Sequence, residues 1–424
     1  MKHLLSYLFV FIALVACSDA AEEIVPEEPK TQAEIKVETS SLSFSSDGGQ
    51  SIISFTSTKS WTAEVSVAAK DWCSIDIEKG NGGSVKVEVS VTSNENVIEE
   101  RTAFVVIKSG SISKSVKIAQ DALFEDVYEA DRAGLIALYE ALDGDNWTNN
   151  ENWCSDRPLE EWEGVIVDYY EGYVTELLLR GNNVKGEIPD EVRYLTNLEY
   201  LQMGDNEVSY FNIGNMPNLK ILECSNNPIS SLDLSQNPKL EKLYIAWTEV
   251  SSLDFSNNPD LVAVNCGGTK IKNLDFSHNP KLYSLQCHNC NIESLNLSKN
   301  QEMQYINFSS CGFASIDVSN FPKLRDLHCG WNNFETIDLS NNPELVSLSC
   351  GNSNLNSLDV SNNPLLESLY CASTKLTTLD LTNNSALTML DCLDCPDLVE
   401  IYVKKDHKFQ VYNADPHTEL VYVE

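Results

Sequence analysis

Apolar and polar residues alternate in a pattern that returns every 21 residues through the second half of the chain. The pattern is clearest in the tetrapeptide Leu-Asp-Leu-Ser that begins at Leu232. Its later copies begin at Leu253, Leu274, Leu295, Ile316, Ile337, Leu358 and Leu379. A fixed period of this length predicts a solenoid, because a single repeat cannot bury its own apolar face. Within each repeat, here called a coil, a segment such as residues 222–224 alternates inward and outward, which predicts a parallel β-sheet across the coils.

One coil reads L-x-x-L-x-C-x-x-N-x-L-x-x-L-D-L-S-x-N-P-x, where x varies. This consensus resembles the leucine-rich repeat family, and most closely the cysteine-containing repeats of internalin-type bacterial surface proteins. The resemblance implies a solenoid over residues 181–397 with short or irregular return segments, closed by a C-terminal cap over residues 398–424. The predicted fold class is mainly β, with a small β-sandwich, then this solenoid and its partly helical N-terminal cap.

Cysteine recurs at one position of the coil, where Met, Ile and Phe also occur, so we expect a buried column of small apolar thiols. Disulfides along the column are the alternative, because neighbouring Cα atoms would be about 5 Å apart, although parallel side chains in register meet the required torsion poorly. Three residues further on, the leucine-rich repeat resemblance implies a polar ladder that pairs backbone groups at the bend after each strand. This ladder column consists of Asn206, Asn227, Thr248, Thr269, Cys290, Cys311, Asn332, Ser353, Thr374 and Cys395. Two C-x-x-C motifs, at residues 287–290 and 392–395, arise where both columns hold Cys. We therefore interpret them as structural thiols and not as zinc or redox sites.

Aspartate recurs at the second position of the repeated tetrapeptide, for example at Asp233, Asp254 and Asp338. We expect a solvated face with serine and backbone neighbours. A bound cation that relieves the repulsion is the alternative, although Ca²⁺ needs about six to eight converging oxygen atoms. We predict neither a metal nor another cofactor.

The first 17 residues combine Lys2, an apolar run too short to span a membrane, and Cys17, as in an export signal. Residues 14–17, Leu-Val-Ala-Cys, resemble the lipobox of bacterial lipoproteins, which implies lipidation of Cys17. The following acidic residues are similar to the surface-export signal of Bacteroidota lipoproteins, although in enterobacteria an Asp after the lipidated Cys implies retention at the inner membrane. We expect an outer-membrane, surface-exposed lipoprotein with an acidic tether over residues 18–32.

Residues 33–122 contain short alternating runs rich in Val, Ile and Ser, which predict a β-sandwich. This segment resembles the BACON domain of Bacteroidota envelope proteins. The residues that carry the resemblance are Trp61, Asp71, Trp72, Asn94, Arg101 and the closing segment 116–120. The family implies either carbohydrate binding or a spacer. We expect Trp61 and Trp72 to lie in the core, because a lone Trp in a small sandwich usually anchors packing.

We predict that residues 123–180 form an N-terminal cap of the solenoid. A helical spacing of apolar residues over 131–139 predicts a helix. The tryptophans Trp147, Trp153 and Trp162 and the segment Gly-Glu-Ile-Pro at 186–189 resemble the N-terminal cap of plant-type leucine-rich repeats. We expect the three tryptophans to cover the open end of the stack.

Outward positions of the predicted sheet combine Gly, Ala and Ser with amides and scattered aromatic residues. We predict that ligand binding uses Tyr244, Trp247, His288, Tyr305, His328, Trp331 and Tyr370. Exposed Trp and Tyr are typical anchors of protein interfaces, and the same mixture also suits a glycan. The ligand is therefore a protein or a glycan. A structural envelope protein without a specific ligand is a third alternative.

The net charge of −34 argues against a nucleic-acid partner and against anionic membrane surfaces, so that contact with the membrane is expected only through the lipid at Cys17. None of the six histidines belongs to a recognisable nucleophile or metal motif. We therefore expect a non-enzymatic protein that binds a macromolecule through its strand face, most directly a protein in adhesion or interaction. The alternative is a glycan-binding component of polysaccharide acquisition.

Overall fold

The computed structural model describes residues 33–214 and 216–424 and divides them into two compact units. The first comprises residues 33–94 and 101–121, and the second residues 95–100 and the described part of 122–424. The predicted signal, the lipidation site Cys17 and the acidic tether lie outside the described residues. Within those residues, no helix has the length and apolar character to cross a bilayer.

The first unit is a β-sandwich, as predicted. Its strands are β1 (Ile35–Val37), β2 (Ser41–Phe44), β3 (Gly49–Ser57), β4 (Trp61–Val65), β5 (Cys73–Ile75), β6 (Lys79–Gly80), β7 (Gly83–Val91), β8 (Arg101–Ser109) and β9 (Ile112–Gln120). One sheet has the order β1-β3-β7-β5 and the other β2-β9-β8-β4-β6. Alternate residues of each long strand point into the core, because successive side chains of a strand leave opposite faces.

Trp61 lies in the sandwich core, where its ring meets Phe55 edge to face at 5.0 Å between centroids. Its indole nitrogen donates to the carbonyl of Asn81, so that its polar atom is also paired. Trp72 is half-buried against the same core and carries the Arg101 guanidinium 4.4 Å above its ring. Both tryptophans therefore pack as predicted.

The second unit begins with α1 (Val127–Ala141), which the spacing over 131–139 predicted. Asp126 caps this helix by accepting from the backbone N–H of Glu129. The three cap tryptophans are buried and touch one another, with 4.9 Å between the ring centroids of Trp147 and Trp153 and 5.4 Å between those of Trp153 and Trp162. Their predicted place in the cap core is confirmed.

The solenoid follows as short strands, one or two per coil. They are β10 (Val165–Val167), β11 (Val174–Leu178), β12 (Lys185–Glu187), β13 (Tyr200–Gln202), β14 (Glu207–Tyr210), β15 (Ile221–Glu223), β16 (Lys242–Tyr244), β17 (Ala263–Asn265), β18 (Asn273–Asp275), β19 (Ser284–Gln286), β20 (Ser294–Asn296), β21 (Tyr305–Asn307), β22 (Asp326–His328), β23 (Ser347–Ser349), β24 (Ser368–Tyr370), β25 (Thr378–Asp380), β26 (Met389–Cys392), β27 (Glu400–Lys404), β28 (Val411–Ala414) and β29 (Glu419–Val423).

Thirteen of these strands form one main sheet, in the order β10-β11-β13-β15-β16-β17-β19-β21-β22-β23-β24-β26-β28. The first pair is antiparallel and the others are parallel. Equivalent residues of successive coils are paired in register, as Leu222 is with Leu243 and Leu243 with Val264. The outward side chains of this sheet are called the strand face below.

The polar ladder is confirmed at the bends after these strands. Asn332 donates through Nδ2 to the carbonyl of Cys329 at 2.8 Å, and Thr269 donates through Oγ1 to that of Cys266 at 2.7 Å. Where the ladder residue is Cys311, its thiol donates to the Cys287 carbonyl of the preceding coil at 3.0 Å.

The C-x-x-C cysteines occupy these two structural columns. All twelve cysteines of the described residues are free thiols, and burial raises the pKa of Cys350 to about 12. No group of three or more His, Cys, Asp or Glu side chains could hold a metal ion in the described ranges.

The repeated aspartates form turns on the solvated side of the coil. The Oδ1 atom of Asp338 accepts from the backbone N–H of Ser340 at 2.9 Å, and Asp254 does the same with Ser256. Hydrogen bonds from the serine hydroxyl and backbone lower the pKa of both carboxyl groups. The interpretation as a solvated face with serine and backbone neighbours is confirmed.

Candidate functional site

Each coil leaves the main sheet through one residue in the left-handed backbone region. Those residues are Asp205, Asn226, Trp247, Gly268, Asn289, Ser310, Trp331, Asn352, Ser373 and Asp394. Glycine, asparagine and aspartate tolerate this conformation best, whereas a large side chain there costs about 1–2 kcal/mol. Trp247 (φ 58°) and Trp331 (φ 57°) are therefore unusual occupants of the position.

Burial does not compensate this cost. Trp247 is 54% exposed and Trp331 is 65% exposed, so that both rings offer most of their surface to solvent. The coil needs the left-handed residue but does not need an indole there. Two strained and exposed tryptophans at equivalent positions mark the strand face as a candidate binding surface.

Trp247 forms part of a cavity of about 480 Å³ on the strand face, across β13 to β19. Two further predicted site residues, Tyr244 and His288, line the same cavity. The ring centroids of Trp247 and His288 are 6.2 Å apart and the rings meet edge to face. The structure thus places His288 in one cavity with Tyr244 and Trp247, which belong to the coil two repeats earlier.

Two glycines of the intervening coil set the positions of these rings. A Cβ atom on Gly268 would lie 2.4 Å from the Trp247 ring, and one on Gly267 would lie 2.3 Å from the His288 ring. Both rings therefore lie directly against the backbone, which only glycine permits at this distance. Burial lowers the pKa of His288, so its imidazole is uncharged at neutral pH.

A charged group borders the aromatic side of the cavity. Glu223 is 7% exposed although it stands at an outward position of β15. The carboxylate lies over Gly204, where a Cβ atom would come within 2.3 Å of its Oε1. Arg180 approaches that Oε1 atom at 3.5 Å and pairs more closely with Asp205, at 2.8 Å. Burial raises the pKa of Glu223, and the Arg180 charge opposes that rise.

The remaining predicted site residues lie further along the strand face. Tyr305 and His328 form a second pair, with 5.5 Å between ring centroids. Burial lowers the pKa of His328, and the nearby Asp326 charge opposes this. Trp331 and Tyr370 are exposed and belong to neither group of contacts.

The sequence prediction missed several residues that line the cavity, namely Arg180, Tyr200, Gln202, Glu223 and Asn265. All of them stand at outward or adjacent positions of consecutive coils. The sequence does contain one signal for this cavity, which is glycine at the positions directly after the strands. Glycine there leaves room for side chains of neighbouring coils, as at Gly204, Gly267 and Gly268.

Comparisons with known proteins agree with this architecture. Residues 55–121 match the family described as "BACON: Putative binding domain, N-terminal". A comparison with curated proteins found no match.

Solved structures of leucine-rich repeat proteins share the solenoid fold. The Arabidopsis receptor kinase HAESA, in complex with the peptide hormone IDA and the co-receptor SERK1, is 18% identical with a TM-score of 0.51; the match covers 64% of this chain and 54% of that one. The functional domain of InlJ from Listeria monocytogenes, which includes a cysteine ladder, is 23% identical with a TM-score of 0.49, over 59% of this chain and 65% of that one. The chain thus spans less than two thirds of either structure.

Proposed function

We propose that this chain is a non-enzymatic binding protein whose strand face binds a protein partner. The observation that carries the proposal is the pair Trp247 and Trp331, each exposed and each held in a backbone conformation unfavourable for tryptophan. A fold that needed only a turn would use Asn, Asp, Gly or Ser there, as the other coils do. Tryptophan side chains have only two rotatable bonds and lose little conformational entropy on binding, which suits interface anchors.

We further propose that the protein is located in the cell envelope, is anchored by a lipid at Cys17 and is exposed on the cell surface. The lipobox-like residues 14–17 support it. The fold is compatible with a protein ligand, because the related HAESA solenoid is found with a peptide hormone and a co-receptor.

A glycan is the second candidate ligand, and the composition of the cavity supports it. The amides Gln202, Asn226 and Asn265 line the same cavity as Trp247. Planar amides can hydrogen-bond sugar hydroxyls while an indole covers the apolar face of a sugar ring.

Cross-linking on intact cells tests the proposal. A membrane-impermeant cross-linker is applied to cells that carry the wild-type chain, the double variant Trp247→Asn/Trp331→Asn, or the matched variant Ser310→Asn/Ser373→Asn. The matched variant changes the same left-handed position in two other coils without removing an indole. We expect the tryptophan variant to lose its cross-linked protein partners about tenfold or more and the serine variant to keep them.

Equal partner yields from both double variants would contradict a role for the strand-face tryptophans. Failure of the reagent to label any form of the chain would contradict the surface location. A glycan array with the same three proteins separates the two ligand classes: glycan binding that is lost only with the tryptophans would replace the protein-partner proposal.

A further inference from the structure

The carboxylate of Glu223 is almost completely enclosed on a surface that is otherwise open. Equivalent residues of neighbouring coils, Gln202 and Tyr244, are half-buried and can reach solvent. Glu223 instead folds back over Gly204, which provides the space. Enclosing a carboxylate costs free energy unless a cation or several hydrogen bonds compensate it, so the position needs a reason.

The charge of Arg180 and a side-chain hydrogen bond from Gln202 compensate the burial of Glu223 only in part, because its pKa is still raised. Arg180 is held by Asp205, with its guanidinium 2.8 Å from the Asp205 Oδ2 atom, and stands 3.5 Å from Glu223. Asp205 also accepts a hydrogen bond at its Oδ1 atom, from Asn226 Nδ2 at 2.6 Å. One guanidinium thus serves two carboxylates, and the local charge of Arg180, Asp205 and Glu223 sums to −1. The cavity beside them has room for one more cation.

Aromatic rings provide the other walls of the cavity. Tyr200, Tyr244 and Trp247 line it together with Glu223. Ring faces attract ammonium and guanidinium groups, and the attraction is stronger where water is excluded. His288, which also lines the cavity, is uncharged at neutral pH because burial lowers its pKa, so it does not repel a cation. A volume of about 480 Å³ is in the range of known ligand pockets.

We propose that this cavity binds the cationic side chain of a lysine or arginine from the protein partner, with Glu223 as the charge partner and Tyr200, Tyr244 and Trp247 as the surrounding rings. The proposal rests on the proposed function and specifies the chemistry of its ligand. The net charge of −34 also favours a cationic partner, because it attracts such a partner at long range.

The test uses the full chain labelled with ¹⁵N and small probes of defined charge. N-acetyl-arginine methylamide and N-acetyl-lysine methylamide are titrated, with the neutral analogue N-acetyl-citrulline methylamide and a set of methyl glycosides for comparison. The readout is the indole N–H signal of Trp247, assigned with the variant Trp247→Phe. We expect the cationic probes to shift this signal at concentrations at which citrulline does not.

The variant Glu223→Gln keeps the shape of the side chain and removes its charge. We expect it to weaken binding of the cationic probes by about tenfold or more, because charge-assisted contacts are lost. The matched variant Glu335→Gln removes an exposed carboxylate from another coil and should leave the binding unchanged. Circular dichroism checks that both variants are folded.

Three results would overturn the cation proposal: no shift by either cationic probe, equal shifts by arginine and citrulline probes, or unchanged binding in Glu223→Gln. A shift by glycosides alone would assign the cavity to a sugar. These outcomes are independent of the cross-linking experiment. A protein partner can bind through the tryptophans even if it places no lysine or arginine side chain in this cavity. Failure of the inference and failure of the proposed function are therefore distinguishable.

Discussion

At the scale of single residues, the second unit contains two kinds of energetically costly residue, for different reasons. Trp247 and Trp331 adopt an unfavourable backbone conformation on the surface, where they can reach a partner. Asp131 of α1 is instead fully buried, far from any predicted site residue in sequence. Its Oδ2 atom accepts from the backbone N–H of Val174 at 2.6 Å, whereas its Oδ1 atom has no hydrogen-bond partner. Asp131 therefore links the cap helix to β11 at a cost in stability.

We predict that Asp131→Asn stabilises the protein at neutral and alkaline pH. Burial raises the pKa of Asp131 to about 7, although the Val174 hydrogen bond opposes the rise. A carboxyl group whose pKa is higher in the folded state than in the unfolded state lowers the free energy of unfolding as the pH rises from about 4 to 7. Above about pH 7 this loss of stability no longer changes. The variant should gain up to about 4 kcal/mol at pH 8 and little at pH 4. Chemical denaturation at both pH values measures this.

The control for this prediction is Asp156→Asn, which changes an exposed aspartate of the same cap. Its unfolding free energy should follow that of the wild type at both pH values. A gain in Asp131→Asn that is the same at pH 4 and pH 8 would show that ionisation of Asp131 is not the cause.

At the scale of the coil, a second ladder of side chains stabilises the return segments. Its members are the fully buried Asn237, Asn258, Asn279, Asn300, Asn342, Asn363 and Asn384. Each donates through Nδ2 to two backbone carbonyls of the preceding coil; Asn363 reaches those of Leu339 and Asn342 at 3.1 and 2.9 Å. Phe321 takes the place of Asn in one coil. A cavity of about 330 Å³ lies beside this phenylalanine, where the spacing of the ladder is interrupted.

We predict that Asn363→Ala destabilises the solenoid by about 2 kcal/mol, because two buried hydrogen bonds between coils are lost. The neighbouring Asn362→Ala is the matched control, since Asn362 is exposed. Thermal unfolding followed by circular dichroism compares the two. Equal midpoints for both variants would mean that the asparagine ladder contributes nothing to the stacking of coils.

The sequence predicted the regular features of the coil better than its irregular ones. The 21-residue period predicted the parallel strands, and the leucine-rich repeat resemblance implied the polar ladder; both recur because every coil repeats the same backbone hydrogen bonds. The asparagine of the second ladder is the residue before proline in the repeat. Its role is to donate hydrogen bonds to the preceding coil, and the sequence of a single coil does not reveal these bonds. The packing of the Trp247 ring against Gly268 and the enclosure of Glu223 over Gly204 likewise depend on neighbouring coils. Spacing along one coil cannot reveal contacts between coils.

At the scale of the whole molecule, the chain builds two hydrophobic cores that share no residue. One lies between the two sheets of the sandwich and includes Ile118, and the other runs through the solenoid and includes Leu348. A core of its own is what allows a segment to unfold as a cooperative unit. We therefore predict two calorimetric unfolding transitions for the full chain, each governed by one core.

Single core substitutions assign the transitions. Ile118→Ala should lower one midpoint and Leu348→Ala the other, each through a loss of about 2–5 kcal/mol in the unit concerned, because a buried aliphatic side chain is replaced by a cavity. The matched controls are Ile52→Ala in the sandwich and Leu365→Ala in the solenoid, whose side chains are 46% and 51% exposed. These should move either midpoint only slightly. A single transition that both core variants lower would show that the two cores unfold as one unit, and the binding surface of the solenoid would then depend on the sandwich for its stability.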